Sequence, residues 1–312
     1  MRTPLVSVLI PVFNGEPFLA ECLESVLAQD FSDCEILISD DGSTDGSAAV
    51  IERFAARDSR IRWWRNPRNL GIGGNFNACI KAARGEFLKF VLQDDKLLMP
   101  LALRQMVTTL ESDPSVSLVV SASQLIDAQS RLIQVRNSFG RSGVHEGKEV
   151  IVYCLTKNAN VIGEPSLALF RQRQAARGFD DQLKQLLDLE MWFHLLEQGR
   201  FAYIAEPLCA FRQHPAQLTE VNRLSGASAE EDLTLMERYY TRPWMKDFIT
   251  PQAIFTQVYY LRKRGKERPA AVATVMARDL NPLTYVLCWV RHKVTRPFNN
   301  FRRWLEKRRI LR

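Results

Sequence analysis

The sequence predicts an α/β protein built on a mostly parallel, doubly wound sheet. Short apolar runs alternate with amphipathic segments throughout the first 95 residues, a pattern typical of repeated β-α units. Two of these runs end in acidic clusters, Asp40-Asp41 and Gln93-Asp94-Asp95. Parallel strands end at one edge of a sheet, and open α/β sheets bind ligands at that edge. We therefore expect both clusters to lie at one site.

Each element follows from a local pattern. The run Leu5–Ile10 predicts a buried strand that ends at Pro11, and Glu16–Ala28 then has helical periodicity. The same unit recurs, with strands at 35–39, 61–64 and 87–92 and helices at about 47–56 and 71–83. Farther on, the patterns predict a helix to 110, a strand at 116–121 with a hairpin through 133, a loop and short helix at 140–157, a helix at 188–198 and a strand at 201–204. Beyond residue 228 the pattern is helical, divided by prolines.

Charge divides the 312 residues into two parts. From Arg262 to Arg312 there are 15 Lys or Arg against 3 Asp or Glu, a net of +12, so the rest carries −5 of the overall +7. A mildly acidic body does not favour a nucleic-acid partner, and the basic end suggests a docking segment. We predict a globular domain over 1–225 and a basic helical extension over 226–312.

Cysteine usage and hydropathy indicate the compartment. The six cysteines are scattered without a Cys-x-x-Cys pair, which favours a reducing, cytoplasmic setting. The N-terminal residues lack a small-residue cleavage site, and no run approaches about 20 apolar residues. We expect neither a signal peptide nor a spanning helix.

The acidic clusters suggest a nucleotide and a divalent cation. Adjacent carboxylates repel one another, and a hard cation with oxygen ligands relieves that repulsion while attracting phosphate.

The order and spacing of the motifs add a family resemblance. The segment Ser7–Asn14, followed by Asp40–Asp45 and Gln93–Asp95, resembles the family 2 glycosyltransferases of GT-A fold, over roughly residues 5 to 220. The resemblance implies a nucleotide-binding half at 1–98 and an acceptor-binding half at 99–225. It also implies inverting transfer of a sugar from a nucleotide-sugar donor, expected to be UDP-linked, to a hydroxyl of a polysaccharide or glycolipid precursor.

The resemblance assigns one set of residues to the nucleotide: Pro11, Val12, Asn14, Asp41, Arg65, Asn69, Gly71, Asn75 and Asp94. A purely structural alternative is open for Asp41–Gly46, which can turn the chain and cap the next helix.

The implied cofactor is Mn²⁺ or Mg²⁺. The resemblance assigns Asp95 and His214 to the metal, and Arg212 to the diphosphate. A cation of this kind stabilises a departing nucleoside diphosphate. Gln93 stands where the family motif has an acid, which removes one possible ligand.

A third block, Asp188-Leu189-Glu190-Met191-Trp192, is similar to the family's acidic block at a helix start, although Leu187 replaces an acid. By that match Asp188 is the general base, with Glu190 in reserve. Capping of the helix is the alternative role for Asp188. Glu164 lies in a block that resembles the acceptor loop.

Residues 291–312 interleave Arg and Lys with aromatic and aliphatic residues, a mixture typical of segments at a membrane surface. We expect peripheral contact with the inner face of the plasma membrane; packing on the catalytic domain and RNA binding are the alternatives. Two other functions also stay open, a metal-dependent nucleotidyltransferase and a non-catalytic nucleotide-sugar-binding scaffold.

Overall fold

The computed structural model describes residues 3–215, 217, 227–264 and 267–293. The chain divides into two compact units, one of residues 1–151 and 160–231, the other of residues 152–159 and 232–312. The predicted boundary after residue 225 lies outside the described residues, and the observed division follows Glu231. The two predicted halves of the first domain stay predictions.

The first unit opens with alternating strands and helices, because apolar strand runs and amphipathic helix patterns alternate there. These elements are β1 (Val6–Val12), α1 (Glu16–Leu27), β2 (Cys34–Asp40), α2 (Ser47–Ala55), β3 (Ile61–Arg65), α3 (Gly71–Ala82) and β4 (Phe87–Phe90). Every residue of β1, β2 and β4 is buried, as expected for strands covered on both faces.

The rest of the unit is more irregular. Its elements are β5 (Lys96–Leu97), α4 (Ala102–Ser112), β6 (Val116–Ile126), β7 (Leu132–Arg136), β8 (Gly143–His145), the first part of α5 (Gly147–Lys157), β9 (Ala168–Arg171), α6 (Leu187–Leu196) and β10 (Arg200–Arg212). Residues 152–157 of α5 belong to the second unit. The strand predicted at 201–204 extends to Arg212, because the register shifts around Pro207 let it continue.

One ten-stranded sheet organises this unit. Its main order is β3-β2-β1-β4-β9-β6-β10-β5, with β7 paired to β6 and β8 to β10. The pairs β3-β2, β2-β1, β1-β4 and β6-β10 are parallel, and β9 runs antiparallel to both β4 and β6. The predicted mostly parallel sheet is confirmed.

Pro11 does not end β1, contrary to the prediction. It pairs with Ser39, and the strand runs to Val12. On the β4 side, Leu9 O still accepts the hydrogen bond from Val91 N, but Pro11 lies beyond the paired residues of β4. Its missing N–H therefore costs the ladder nothing.

The second unit is helical. It contains α8 (Met245–Phe248), α9 (Pro251–Arg264), α10 (Glu267–Ala277) and α11 (282–293), and α7 (Ala227–Tyr240) leads into it. A separate core joins these helices, with Phe255 and Val258 of α9 and Ala273 of α10 fully buried. Within the described residues no helix is long and apolar enough to cross a bilayer. The predicted basic segment lies outside the described residues beyond Lys293.

Candidate functional site

The parallel strands bring several predicted residues to one edge of the sheet. Val12 is in register with Asp40, which in turn pairs with Arg65. β4 ends beside β1, with Phe90 opposite Leu9, so the loop carrying Asp94 and Asp95 starts at the same edge.

Asp41 is held by the loop that precedes α3. Its Oδ1 accepts from Asn66 Nδ2 at 2.8 Å and Leu70 N at 2.9 Å, and Oδ2 accepts from Gly71 N at 3.0 Å. Gly71 has a φ of 72°, a conformation that glycine adopts readily. Asn69 Nδ2 donates to Asp41 O at 3.0 Å. The buried Asp41 carboxylate therefore supports the first turn of α3, rather than that of α2. Its contact with the base of a nucleotide stays a prediction.

Asn75 links the ends of β1 and β2 through hydrogen bonds. Its Nδ2 donates to Ser39 O at 3.2 Å and to Val12 O at 3.5 Å, and its Oδ1 accepts from Asn66 at 3.2 Å. The side chains of Asn75 and Val12 are both buried. They position the edge, whereas direct nucleotide contact by either one, or by Pro11, is untested.

The loops after β1 and β2 are joined through Asn14. This residue has a φ of 51°, and its N donates to Ser43 Oγ at 2.9 Å while its Oδ1 accepts from Thr44 N at 2.8 Å. Arg65 Nη2 donates to Ser43 O at 2.6 Å, and its Nε lies 3.6 Å from Asp40 Oδ2. The half-exposed Arg65 thus presents a cation at the rim of the edge.

The contacts of the Gln93 side chain account for a glutamine at this position, where the family motif has an acid. Its Oε1 accepts from Phe13 N at 2.8 Å and its Nε2 donates to Phe13 O at 2.9 Å. This pair of bonds clamps the loop after β1 to the loop after β4. An acid has no donor for the Phe13 carbonyl, so the amide fulfils a role here that a carboxylate does not.

Asp94 and Asp95 lie in the loop after β4, and His214, which follows β10, lies beside Asp94. His214 Nε2 lies 3.1 Å from Asp94 Oδ2, and its ring packs against Phe18 at 4.8 Å between ring centres. Asp95 is buried; its Oδ1 accepts from Arg212 N at 2.9 Å, while its buried Oδ2 has no hydrogen-bond partner. Burial raises the pKa of Asp95 well above its usual range, and the charges of Asp94 and Glu164 act in the same direction.

This acidic pair suits a divalent cation. Oxygen ligands and an imidazole are acceptable donors for Mn²⁺, and a cation at Asp95 Oδ2 would satisfy the orphaned oxygen. The described residues hold no preformed cluster of three His, Cys, Asp or Glu ligands, so the metal site remains a proposal.

Arg212 is an internal support rather than an exposed phosphate contact. Its guanidinium is buried and packs on the Phe18 ring at 4.8 Å. It donates to Asp94 O at 2.7 Å, Asp127 O at 3.1 Å, Ser130 Oγ at 2.8 Å and Glu21 Oε2 at 2.5 Å. These bonds fix the acidic loop from behind, and the predicted diphosphate contact stays untested.

Asp188 lies in the first turn of α6 and is half-buried. Its Oδ1 accepts from Leu189 N at 2.7 Å, and its Oδ2 accepts from Asn160 Nδ2 at 3.3 Å. Burial raises the pKa of Asp188 to about 7, and the charges of Glu164 and Glu231 raise it further against the Leu189 hydrogen bond. A carboxylate with a pKa near neutral is well matched to general-base catalysis.

Glu164 stands beside this acid and forms a bidentate ion pair. Arg136 Nη1 and Nη2 donate to its two oxygens at 2.8 Å each, and the guanidinium packs over Phe211. A cavity of about 140 Å³ adjoins the pair. Hydroxyl and amide groups line part of it, and aliphatic side chains line the rest: Ser121, Ser123, Ser138, Asn160 and Tyr203 on the polar side, and Val161, Ile162 and Leu167 on the apolar side.

Glu190 faces away from solvent. It is buried and accepts from Arg177 Nη2 at 2.6 Å. This buried ion pair gives Glu190 a structural task, and Asp188 is the better placed of the two candidate bases.

The loop of residues 160–166 connects the acidic cluster with Asp188. Ser166 Oγ accepts from Leu92 N at 2.9 Å, just before the acidic loop. In the middle of the same loop, Gly163 O accepts from Trp192 Nε1 of α6 at 2.9 Å. Glu164 raises the pKa of both Asp95 and Asp188. The structure therefore brings the predicted metal ligand and the predicted base to the two sides of one loop.

Some residues that support the site were not predicted from the sequence. Arg136 and Asn160 gave no signal, because their partners are distant in the chain. Lys89 did give one, as a lysine within an apolar run: it is fully buried and its Nζ donates to Ser166 O. Burial lowers the pKa of Lys89.

A sheet edge with an acidic loop and a further carboxyl close by is the arrangement expected of an α/β group-transfer enzyme. Residues 7–172 match the family model described as glycosyl transferase family 2, and the chain belongs to that family. It is a glycosyltransferase, as the sequence predicted, and the nucleotidyltransferase alternative is not supported.

Relatives agree with this membership. An uncharacterized Mycobacterium tuberculosis protein, MT1568, is 33% identical over 80% of this chain and 79% of its own. The chondroitin synthase of Escherichia coli is 28% identical over 72% of this chain, which spans only 31% of that enzyme.

Two solved structures show the same GT-A fold, so the predicted fold is confirmed. The Staphylococcus aureus TarS fragment 1–349, in complex with UDP-GlcNAc, has a TM-score of 0.58 at 19% identity and covers 92% of this chain and 91% of its own. The mannosyltransferase PcManGT of Pyrobaculum calidifontis, in complex with GDP-Man and Mn²⁺, has a TM-score of 0.60 at 17% identity and covers 96% and 84%.

Proposed function

We propose that the protein transfers a sugar from a UDP-linked donor to a hydroxyl of a polysaccharide or glycolipid precursor, with inversion at the anomeric carbon. The UDP-GlcNAc complex of the TarS neighbour supports the nucleotide, and chondroitin synthase among the relatives supports a glycan acceptor.

The observation that carries this proposal is the position of Asp188. A half-buried carboxyl with a pKa of about 7 lies at the start of α6, across the loop 160–166 from the acidic cluster. A cavity lined by both polar and aliphatic side chains opens on the same loop. This arrangement offers a base beside space for an alcohol, next to the place predicted for the diphosphate.

The reaction proceeds as one displacement. Asp188 takes the proton of the acceptor hydroxyl while its oxygen bonds to the anomeric carbon. The bond from that carbon to the diphosphate oxygen breaks, and the nucleoside diphosphate leaves with the electron pair. Attack opposite the leaving group inverts the configuration.

Asp94, Asp95 and His214 would hold Mn²⁺ or Mg²⁺. Bound there, the cation supplies Lewis-acid stabilisation of the negative charge on the leaving diphosphate. Gln93 and Arg212 hold the acidic loop in place through the Phe13 backbone and the Asp94 carbonyl. Asp41 helps to position the nucleotide base by fixing the loop before α3.

The C-terminal region would place the enzyme at its acceptor by peripheral contact with the cytoplasmic face of the membrane. Its net charge of +12 from Arg262 onward supports attraction to anionic lipid. Salt should weaken such contact, because mobile ions screen charges exposed to water.

The test is a product analysis with the full chain. Incubation with UDP-sugars, Mn²⁺ and a panel of glycan acceptors should release UDP and form a glycoside whose anomeric configuration, read by NMR, is opposite to that of the donor. Retention of configuration, or release of pyrophosphate from a nucleoside triphosphate instead, would contradict the proposal.

A further inference from the structure

Helix α11 (282–293) has two opposite faces with different surroundings. One face packs on the core of the second unit through Tyr285, Cys288 and His292. The Tyr285 ring lies 5.0 Å from that of Phe255, and the His292 ring lies 4.9 Å from that of Tyr259. These contacts fix which way the helix is turned.

The other face is apolar and exposed. Leu283, Val286, Leu287 and Val290 have exposed fractions of 70%, 54%, 61% and 46%. With 3.6 residues per turn, these four side chains fall within a stripe roughly 100° wide. An apolar stripe of this width on a helix normally faces a protein core. Among the described residues, no element covers the stripe on α11.

Cations border this stripe on both sides. By the same helical geometry, the exposed Arg291 and Lys293 lie roughly 70–90° to either side of its centre. Lys293 Nζ is 5.7 Å from the centre of the Trp289 ring. In the sequence, residues 294–312 add 7 Lys or Arg against 1 Glu. An apolar stripe with basic margins is the pattern of a helix lying in a lipid interface.

We infer that this exposed stripe of α11 lies in the interface of a bilayer containing anionic lipid. The inference rests on the peripheral membrane contact proposed above and names the surface that makes it. Anionic headgroups complement Lys293, whose long stem lets its charge reach the headgroups while the stripe contacts acyl chains, and the basic sequence that follows adds positive charge. A second copy of the chain is a poorer occupant, because pairing two stripes brings like charges together.

Vesicle sedimentation of the full chain tests this surface. We expect binding to vesicles of phosphatidylcholine with phosphatidylglycerol, and much less to phosphatidylcholine alone. The double variant Val286→Glu, Leu287→Glu should lose about tenfold or more of the binding, since it removes two apolar groups from the interface and adds negative charge.

The matched control is Leu132→Glu, Ile133→Glu on β7, which changes two side chains that are 56% and 53% exposed by the same chemistry. The control should bind vesicles like the parent chain. Both variants should keep the parent's thermal unfolding curve and its UDP release with a soluble acceptor, because all four side chains are exposed and lie outside the site.

Three results would overturn the inference. One is vesicle binding by the α11 variant that equals that of the parent chain. If that binding is lost in high salt, the basic residues still bind the membrane and only the role of the apolar stripe is refuted. Another is absence of binding by the parent chain, which removes the membrane contact while UDP release still tests the transfer reaction. The third is a concentration-dependent dimer that the α11 variant abolishes, which assigns the stripe to a second copy.

Discussion

At the residue scale, the protonation of Asp188 depends on its neighbours. Burial is the main cause of its pKa of about 7, and the nearby Glu164 carboxylate raises it further. Asn160 donates to one oxygen, so the carboxylate is oriented as well as tuned. Only the ionised form accepts a proton, and therefore activity should rise with pH through this pKa.

Substitution Glu164→Gln should shift that pH dependence. Removing a negative charge near Asp188 lowers the pKa of Asp188, so the rising limb of kcat/KM against pH should move to lower pH. Arg136, freed from its partner, acts in the same direction. The measurement is a pH profile of UDP release, with Glu149→Gln on the exposed side of α5 as the control. An unchanged limb, or one moved to higher pH, would contradict the role given to Glu164.

At the element scale, the site depends on loops that are tied to one another rather than on any single strand. Gln93 joins the loops after β1 and β4, Asn14 joins those after β1 and β2, and Arg212 fixes the acidic loop to α1 and to the turn after β6. The parallel sheet supplies the common edge, and these side chains give the loops their shape.

Gln93→Glu tests the clamp between two of these loops. The variant loses the donor to Phe13 O and places negative charge beside that carbonyl. We expect the free energy of unfolding in urea to fall by about 1 kcal/mol and the KM for the donor to rise. Gln129→Glu, on an exposed turn, makes the same chemical change and should leave both quantities unaltered. Parental stability together with a parental KM would show that the clamp is dispensable.

At the scale of the whole molecule, the sequence predicted the mostly parallel α/β sheet because its signals are local, and the resemblance of the motifs added the GT-A fold. Buried strands such as β2 and β4 read as apolar runs, and the acidic clusters mark their ends. Pro11 was misread because the extent of β4 beside it decides whether its missing N–H matters. The continuation of β10 beyond Ile204 likewise depends on β6, its partner strand.

The chemistry of the site was predictable only in outline. Motif order selected Asp95 and Asp188 as candidates, but the raised pKa of Asp188 depends on burial and on residues far away in the chain. The same limit applies to Arg212, which reads as a phosphate contact and lies buried among carbonyl groups. Distant pairs such as Arg136 and Glu164 leave no trace in a single sequence.

The central claim is that Asp188 deprotonates the acceptor beside a nucleotide-sugar site. Its most direct test is the rate of sugar transfer by Asp188→Asn, measured as UDP release with saturating donor and acceptor. We predict a loss of about 10²–10⁴-fold with donor binding retained. In the parent, the pKa of Asp188 is higher in the folded than in the unfolded chain, so ionisation of this carboxyl destabilises the fold as the pH rises above the pKa of the unfolded chain. At pH 8 the variant, which has no such charge, should therefore be at least as stable as the parent. A correctly folded variant with the full transfer rate would contradict the account.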